Sequence, residues 1–202
     1  MRFRKRAQNS YSDDPDVKCM LAVKKGDRNA FDGLMQKYYP RILNFAYRFI
    51  GSRQLAEDLT QDVFLKVYRS APGYRPRSKF QTWLYTIAKN TCLNELRRHR
   101  GQVVSLEQGP QPNGDELRKE LPDPAADPAT ELLQKEREAQ VRAAINDLSV
   151  NQKIAVILRR YENFSYAEIA ATLDVTEKAV KSLLSRARVN LKNKLIDVID
   201  PD

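Results

Sequence analysis

Between Thr176 and Lys194 the chain sets Lys178, Lys181, Ser182, Ser185, Arg188 and Lys192 at three- and four-residue steps. That spacing gathers side chains on one face of a helix. Val180, Leu183, Leu184, Ala187 and Leu191 recur the same way on the other face and supply an apolar stripe. Lysine and arginine reach phosphates and guanine edges, and serine can donate or accept in either kind of contact. Arg186 adds a further cation, and Thr176 stands where it can cap the helix. The chemistry open to such a face is recognition of a polyanion. One basic face alone also fits a solvated surface helix.

The residues just upstream narrow the choice. Ser165-Tyr166-Ala167-Glu168 fits a capping box, serine followed three residues on by glutamate. Ile169, Ala170, Leu173 and Val175 supply an apolar set for packing two helices across a turn. Asp174 sits in that turn, and aspartate enters the left-handed region with less penalty than most residues. A capped helix, a tight turn and a basic second helix make a helix-turn-helix for duplex DNA. Its second helix enters the major groove by its N-terminal end, so early positions meet bases and later ones the backbone.

Two more groups of residues lie upstream. On a helix from Arg53 to Ser70, Ala56, Leu59, Val63, Phe64 and Val67 form an apolar side, while Glu57, Asp58, Gln61 and Asp62 lie opposite with Leu65 among them. An acidic face would repel DNA. It suits a protein partner, with Leu65 as an apolar anchor, although a solvated acidic face fits too. The second group is a loop and the helix after it. Tyr74, Arg75, Arg77 and Lys79 are followed by Phe80, Thr82, Trp83, Thr86, Lys89 and Asn90, with Arg97 and Arg98 further on. Cations for phosphates and rings for exposed bases resemble a single-strand platform. Trp83 fits core packing as well, and His99, the sole histidine, has no second histidine to form a metal or catalytic pair.

Helical spacing dominates the elements that must position these groups. The first ~18 residues show no periodicity. Helices are expected from about Val17 to Lys25, Asn29 to Ile50, Arg53 to Ser70 and Phe80 to Arg98, with Pro40 bending or breaking the second. Gly51-Ser52 ends that helix and caps the next. Gly101 to Pro128 is rich in Gly, Pro and Asp and reads as a linker. A helix from Pro128 to about Leu148 follows, then a capping box at Ser149-Val150-Asn151-Gln152. The fold class is all-α, in two small helical domains joined by a flexible acidic linker.

The chain has 202 residues and a formal net charge of +9, which points to a polyanionic partner. The charge is segregated: basic from Lys66 to Arg100 and from Thr176 to Lys194, acidic from Gly101 to Glu131. Cys19 and Cys92 are far apart and form no CxxC, which suggests neither a disulfide framework nor a metal site and fits a reducing cytoplasm. MRFRKR is not followed by an apolar signal core, and ILNFAYRFI is too short to span a bilayer. No cofactor is expected.

Three stretches together, AEDLTQDVFLKVYRS, KFQTWLYTIAKNTCLNELRR and SYAEIAATLDVTEKAVKSLLSRARVNLKNKL, resemble bacterial RNA polymerase sigma factors of the extracytoplasmic-function group. The resemblance covers about Asn29 to Leu195. It implies a basic arm at 1–16, sigma domain two at 17–100, a linker at 101–127, sigma domain four at 128–197 and a tail at 198–202. It implies that Glu57, Asp58, Gln61, Asp62 and Leu65 dock on the clamp helices of the polymerase β′ subunit. By the same resemblance, Tyr74, Arg75, Arg77, Lys79, Phe80, Thr82, Trp83, Thr86, Lys89, Asn90, Arg97 and Arg98 belong to the part that reads the minus-ten element and holds its melted strand. Thr176, Lys178, Lys181, Ser182, Ser185, Arg186 and Arg188 belong to the recognition helix for the minus-thirty-five element. Ser185 and Glu177 depart from the residues some relatives carry, which bears on sequence preference. The partners implied are core polymerase (β′ and β), promoter DNA and an anti-sigma factor.

Two other functional classes fit the sequence less well. A stand-alone helix-turn-helix repressor or activator would not need the acidic face or the basic-aromatic loop. An enzyme, such as a recombinase, would need a nucleophile on a rigid element among arginines. Ser10 and Ser12 lie in the loose arm, so no enzymatic activity is expected.

Overall fold

The computed structural model describes residues 11–103, 137 and 139–199. The chain divides into two compact units, Met1–Asn113 and Gly114–Asp202. The first contains α1 (Pro15–Lys24), α2 (Arg28–Ile50), α3 (Arg53–Ser70), a 3-10 turn at Ala71–Gly73 and α4 (Phe80–Val103). The second contains α5 (139–146), α6 (Val150–Arg160), α7 (Tyr166–Leu173) and α8 (Glu177–Ile199). Among the described residues there is no strand, so the all-α expectation is met. The expected linker and the start of the Pro128 helix fall largely outside the described residues.

Local chemistry sets the helix ends in the first unit. Asp14 caps α1 by accepting the Asp16 N–H at 2.9 Å, with Pro15 in the first turn. Asp27 caps α2 through the Ala30 N–H at 3.1 Å. Gly51 closes α2 in the left-handed region at φ +88°, where a side chain would be strained, and Ser52 caps α3 through Leu55. Periodicity then does the packing. Val17 and Met20 of α1, Tyr38, Ile42 and Phe45 of α2, Leu59, Val63 and Val67 of α3, and Phe80, Leu84 and Ala88 of α4 are buried together. Each large apolar side chain contributes about 1.5–3 kcal/mol when fully buried. Cys92 packs among them as a small apolar residue, and burial pushes its thiol up to about 12.

Pro40 neither breaks α2 nor splits it. It lies on the exposed side, as does Gln36, whose carbonyl loses the proline's missing N–H. Water can satisfy that carbonyl, while Tyr38 and Ile42 on either side of Pro40 are held in the core. The aperiodic start also gives way to helix earlier than expected, at Pro15.

In the second unit Ile154, Ile157 and Leu158 of α6, Ile169 and Leu173 of α7, and Val180 and Ala187 of α8 form a separate core. Gln152 accepts the Ser149 N–H at 3.3 Å as part of the capping box expected at the start of α6.

Candidate functional site

The loop from Tyr74 to Lys79 and the first turns of α4 make a groove of about 740 Å³ against the end of α3. Arg69, Arg75, Arg77, Tyr74, Trp83 and Ile87 line it, with Ser70, Gly73 and Ser78. Cations and an aromatic therefore meet in a concave surface of ligand-binding size. The Tyr74 and Trp83 rings pack edge to face at 4.8 Å, Phe80 backs Trp83 at 5.7 Å, and Tyr38 backs Phe80 at 5.4 Å. Trp83 is half-buried, with packed partners on one side and the groove on the other.

The twelve residues assigned to this region from the sequence separate into two groups. Arg75, Arg77, Lys79, Asn90, Arg97 and Arg98 are exposed, and Trp83, Thr86 and Lys89 are partly so. Tyr74, Phe80 and Thr82 are not surface groups: they are 4 %, 0 % and 4 % exposed. Phe80 and Thr82 belong to the inner side of α4, and Tyr74 turns its ring under the groove. Arg98 pairs with Glu95 at 2.7 Å, and Thr86 donates back to the Thr82 carbonyl at 2.8 Å. Burial, with the Asp14 carboxylate nearby, pushes the Tyr74 phenol up to about 12. Arg69 and Ile87 line the groove yet were not assigned to it from sequence. Arg69 closes α3 directly before the loop, and that adjacency was the available signal.

On α3, Asp58, Gln61, Asp62 and Leu65 are exposed and Glu57 is partly so, on one side of the helix. Arg53 pairs with Glu57 at 3.0 Å, one turn apart; such a surface pair contributes about 0.3–0.5 kcal/mol. Leu65 is 45 % exposed, and Tyr68, three residues on, is 47 % exposed. Phe31 of α2 packs on the Tyr68 ring at 5.1 Å and so braces it. Tyr68 was missed in the sequence reading, although its three-residue step from Leu65 puts the two on neighbouring turns.

The third surface is built by α7 and α8. Ser165 accepts the Glu168 N–H at 3.2 Å while Glu168 accepts the Ser165 N–H at 2.8 Å, a complete capping box. Asp174 ends α7 in the left-handed conformation at φ 57°, ψ 50°, as the sequence reading expected. Thr176 accepts the Ala179 N–H at 3.2 Å and caps α8. Thr176, Lys178, Lys181, Ser185, Arg186 and Arg188 are exposed, with Ser182 partly so. Of the expected inner stripe, Val180 and Ala187 are fully buried, while Leu183, Leu184 and Leu191 are half-buried.

At the start of α8, Thr176, Lys178, Ser182, Leu183 and Arg186 border a groove of about 440 Å³ that also takes in Asn151 of α6. Asn151 was read from sequence only as an interior position of a capping box. The approach of α6 to α8 brings it to the basic face. Upstream, Arg159 donates to the Phe164 carbonyl at 2.9 Å and lies over the Tyr166 ring at 5.3 Å. It therefore ties the turn at Asn163, φ 57°, rather than adding to the basic face.

Two regions of the chain match described families: residues 34–102 match Sigma-70 region 2, and residues 138–191 match Sigma-70, region 4. The RNA polymerase sigma-H factor of Pseudomonas aeruginosa is 35 % identical over 179 residues, covering 87 % of this chain and 91 % of that one. The ECF RNA polymerase sigma-E factor of Escherichia coli K12 is 33 % identical over 182 residues, covering 88 % and 92 %. The chain belongs to the extracytoplasmic-function sigma factors. Its function is to direct promoter-specific transcription with RNA polymerase, and the repressor alternative is not favoured. CnrH, solved in complex with the cytosolic domain of CnrY, has the same fold with a TM-score of 0.67 and 21 % identity, covering 92 % of this chain and 99 % of that one. The sigma factor RpoE of Bartonella quintana, solved with the anti-sigma factor NepR, has a TM-score of 0.61 at 24 % identity, covering 82 % and 96 %.

The groove at Trp83 and the acidic side of α3 fall within the region 2 match, and the basic face of α8 within the region 4 match. Among the described residues of this sigma factor, no helix is long and apolar enough to cross a membrane.

Proposed function

We propose that this sigma factor reads a promoter through two separate surfaces and docks on the core enzyme through a third. The carrying observation is the groove of about 740 Å³ that joins Arg69, Arg75 and Arg77 to the edge of Trp83. Guanidinium groups attract the backbone of a melted strand, and a half-exposed indole offers a stacking face to an unstacked base. Tyr74, Phe80 and Thr82 act from beneath, as the packing that sets the angle of Trp83. Lys79, Thr86, Lys89, Asn90, Arg97 and Arg98 extend the polar track along α4 for the minus-ten element.

On α8, Thr176, Lys178, Lys181 and Ser182 face base edges of the minus-thirty-five element, while Ser185, Arg186 and Arg188 take its phosphates. Glu57, Asp58, Gln61 and Asp62 surround Leu65 as the docking face for the β′ clamp helices. The domain boundaries that follow are 17–100 for the first binding domain and 128–197 for the second, with 101–127 spanning them. An extended stretch of that length reaches at most about 95 Å.

The protein performs no covalent chemistry in this reading; it lowers the barrier to strand opening by binding the opened strand. It works in the cytoplasm. The sigma factor RpoE, of the same fold, is solved with the anti-sigma factor NepR, which supports an anti-sigma factor as the inhibitor of this one.

Run-off transcription with bacterial core polymerase on a promoter library from the same genome tests the reading. Initiation that depends on this protein and selects particular promoters is the expected result. Tight binding of duplex DNA by the protein alone, with no transcript, would overturn it.

A further inference from the structure

The loop that lines the Trp83 groove is held at both ends by polar groups of α1 and its cap. At the near end, Lys24 Nζ donates to the Tyr74 carbonyl at 2.9 Å, across 50 positions of sequence. At the far end, the Phe80 N–H donates to Asp14 Oδ2 at 3.3 Å, across 66 positions. The second oxygen of the same carboxylate, Oδ1, accepts the Asp16 N–H and caps α1. Asp14 therefore caps two helices at once, one local and one distant.

The clasp is itself anchored. Asp16 accepts from Lys37 Nζ at 2.7 Å and from the Tyr38 hydroxyl at 2.6 Å. The Tyr38 ring lies against Phe80, and Phe80 against Trp83. Between the two clasped positions lie Arg75, Pro76, Arg77, Ser78 and Lys79, which form no regular helix or strand. The Lys79 carbonyl accepts the Trp83 N–H at 3.2 Å as the segment joins α4, so the positions of Tyr74 and Phe80 bear directly on the shape of the residues between them.

From this geometry we infer that Asp14 and Lys24 are positioning residues for strand capture: together they hold the Tyr74–Phe80 loop in the shape that presents its arginines and Trp83 to an unstacked base. The inference rests on reading the groove as the strand-binding site. The clasp is not the sole anchor of α1, because Val17 and Met20 bury its apolar side in the core. The clasp acts on binding because a site that holds its competent shape only part of the time binds with affinity reduced by that fraction. None of the residues involved from α1 falls within the region 2 match, which begins at residue 34.

The test uses full-length Asp14→Asn and Lys24→Met, which cut the clasp at opposite ends. Asparagine is as good a helix cap as aspartate. Its single carbonyl oxygen can serve α1, which leaves the Phe80 N–H facing an amide. Each variant is assembled with core polymerase and titrated with a fork-junction DNA whose minus-ten strand is unpaired. Core affinity is measured in parallel. Trp83 is the sole tryptophan of the chain, so acrylamide quenching of the free protein reads the loop directly.

The expected result is fork-junction affinity lowered about tenfold in both variants, the size of one lost charged hydrogen bond. Core affinity stays unchanged, and Trp83 becomes more accessible to quencher. Wild-type fork-junction affinity in both variants would overturn the inference. So would an equal loss of core affinity, which would make α1 a general support of the domain. Trp83→Ala serves as the control for the groove itself. If that variant binds the fork junction normally, the groove reading fails; if it binds poorly while the other two bind normally, only the clasp fails.

Discussion

The hydroxyl of Tyr74 is buried without a hydrogen-bond partner, while its ring meets that of Trp83 edge to face at 4.8 Å. The ring, not the hydroxyl, is therefore what the groove uses. An unpaired buried hydroxyl costs about 1–3 kcal/mol. Tyr74→Phe keeps the edge contact and removes that cost, so it should raise stability by about 1 kcal/mol and leave promoter opening intact. Denaturant unfolding followed by Trp83 fluorescence measures the first, and permanganate footprinting of the minus-ten region the second. The pH profile gives a further check. With the phenol pushed up from 10 to about 12, the folded state keeps its proton where the unfolded state has lost it. Stability therefore falls as pH rises from about 10 to 12, and that fall should be smaller in Tyr74→Phe.

Leu65 and Tyr68 are exposed apolar groups beside a row of carboxylates, and of the two Tyr68 also packs its ring on Phe31. Leu65→Asp and Tyr68→Ala should each weaken core polymerase binding by about 2 kcal/mol, roughly thirtyfold, the range of an interface anchor. Folding stability should change by less than about 0.5 kcal/mol in Leu65→Asp, and fall by about 0.5–1.5 kcal/mol in Tyr68→Ala, which loses the ring contact with Phe31. Competition for core against the unmodified protein reads the first quantity and denaturant unfolding the second. Normal holoenzyme assembly by Leu65→Asp would remove the docking role from this face.

The elements legible in the sequence were those set by near neighbours. The capping box at Ser165, the left-handed Asp174 and the face of α8 each depend on residues within about one or two turns, so type and spacing sufficed. Pro40 sits inside an unbroken α2 because its local cost is outweighed by the burial of Tyr38 and Ile42 on either side of it. Tyr74, Phe80 and Thr82 looked like binding groups because rings and hydroxyls serve cores and surfaces alike. Their burial is decided by α1 and α2, far away in sequence. Asp14 and Lys24 carried no signal at all: an aspartate before a proline reads as an ordinary cap, and nothing local announces a second helix waiting for its other oxygen. Asn151 was hidden for the same reason, since its neighbour on α8 lies more than twenty residues downstream.

Asn151 and Lys178 border the same groove at the mouth of α8, yet their roles should differ. Lys178 carries charge, and a cation that neutralises one phosphate contributes about one unit to the slope of log affinity against log salt. As a base-edge contact, Lys178→Ala should weaken minus-thirty-five binding by about 1–3 kcal/mol and relax the preference at one base pair. A slope flattened by about one, with the preference unchanged, would overturn that role and give Lys178 to the backbone. Asn151→Ala should weaken binding by about 1 kcal/mol with the slope unchanged, as for a neutral hydrogen bond. Holoenzyme titrations with duplex minus-thirty-five DNA at several salt concentrations separate these outcomes.

Lys153 of α6 is 8 % exposed and donates to Asn146 Oδ1. Burial lowers its ammonium to about 8 from the usual 10.5. The sign of the consequence is fixed by proton counting. Between about pH 8 and 10.5 the unfolded chain still holds this proton and the folded chain has released it, so this group makes stability rise with pH across that window. Below pH 8 both states are protonated and the folded protein bears the full cost of a buried cation. Lys153→Met keeps the length and the apolar stem and removes the titration. The difference in stability between the two proteins should therefore shift in favour of the lysine form as pH rises from 8 to 10.5. Hydrogen exchange of the α6 amides in the full-length protein, compared at pH 8 and 10, measures that shift in the unit where the lysine sits. A difference independent of pH would mean that Lys153 keeps an ordinary proton affinity and that water reaches its ammonium.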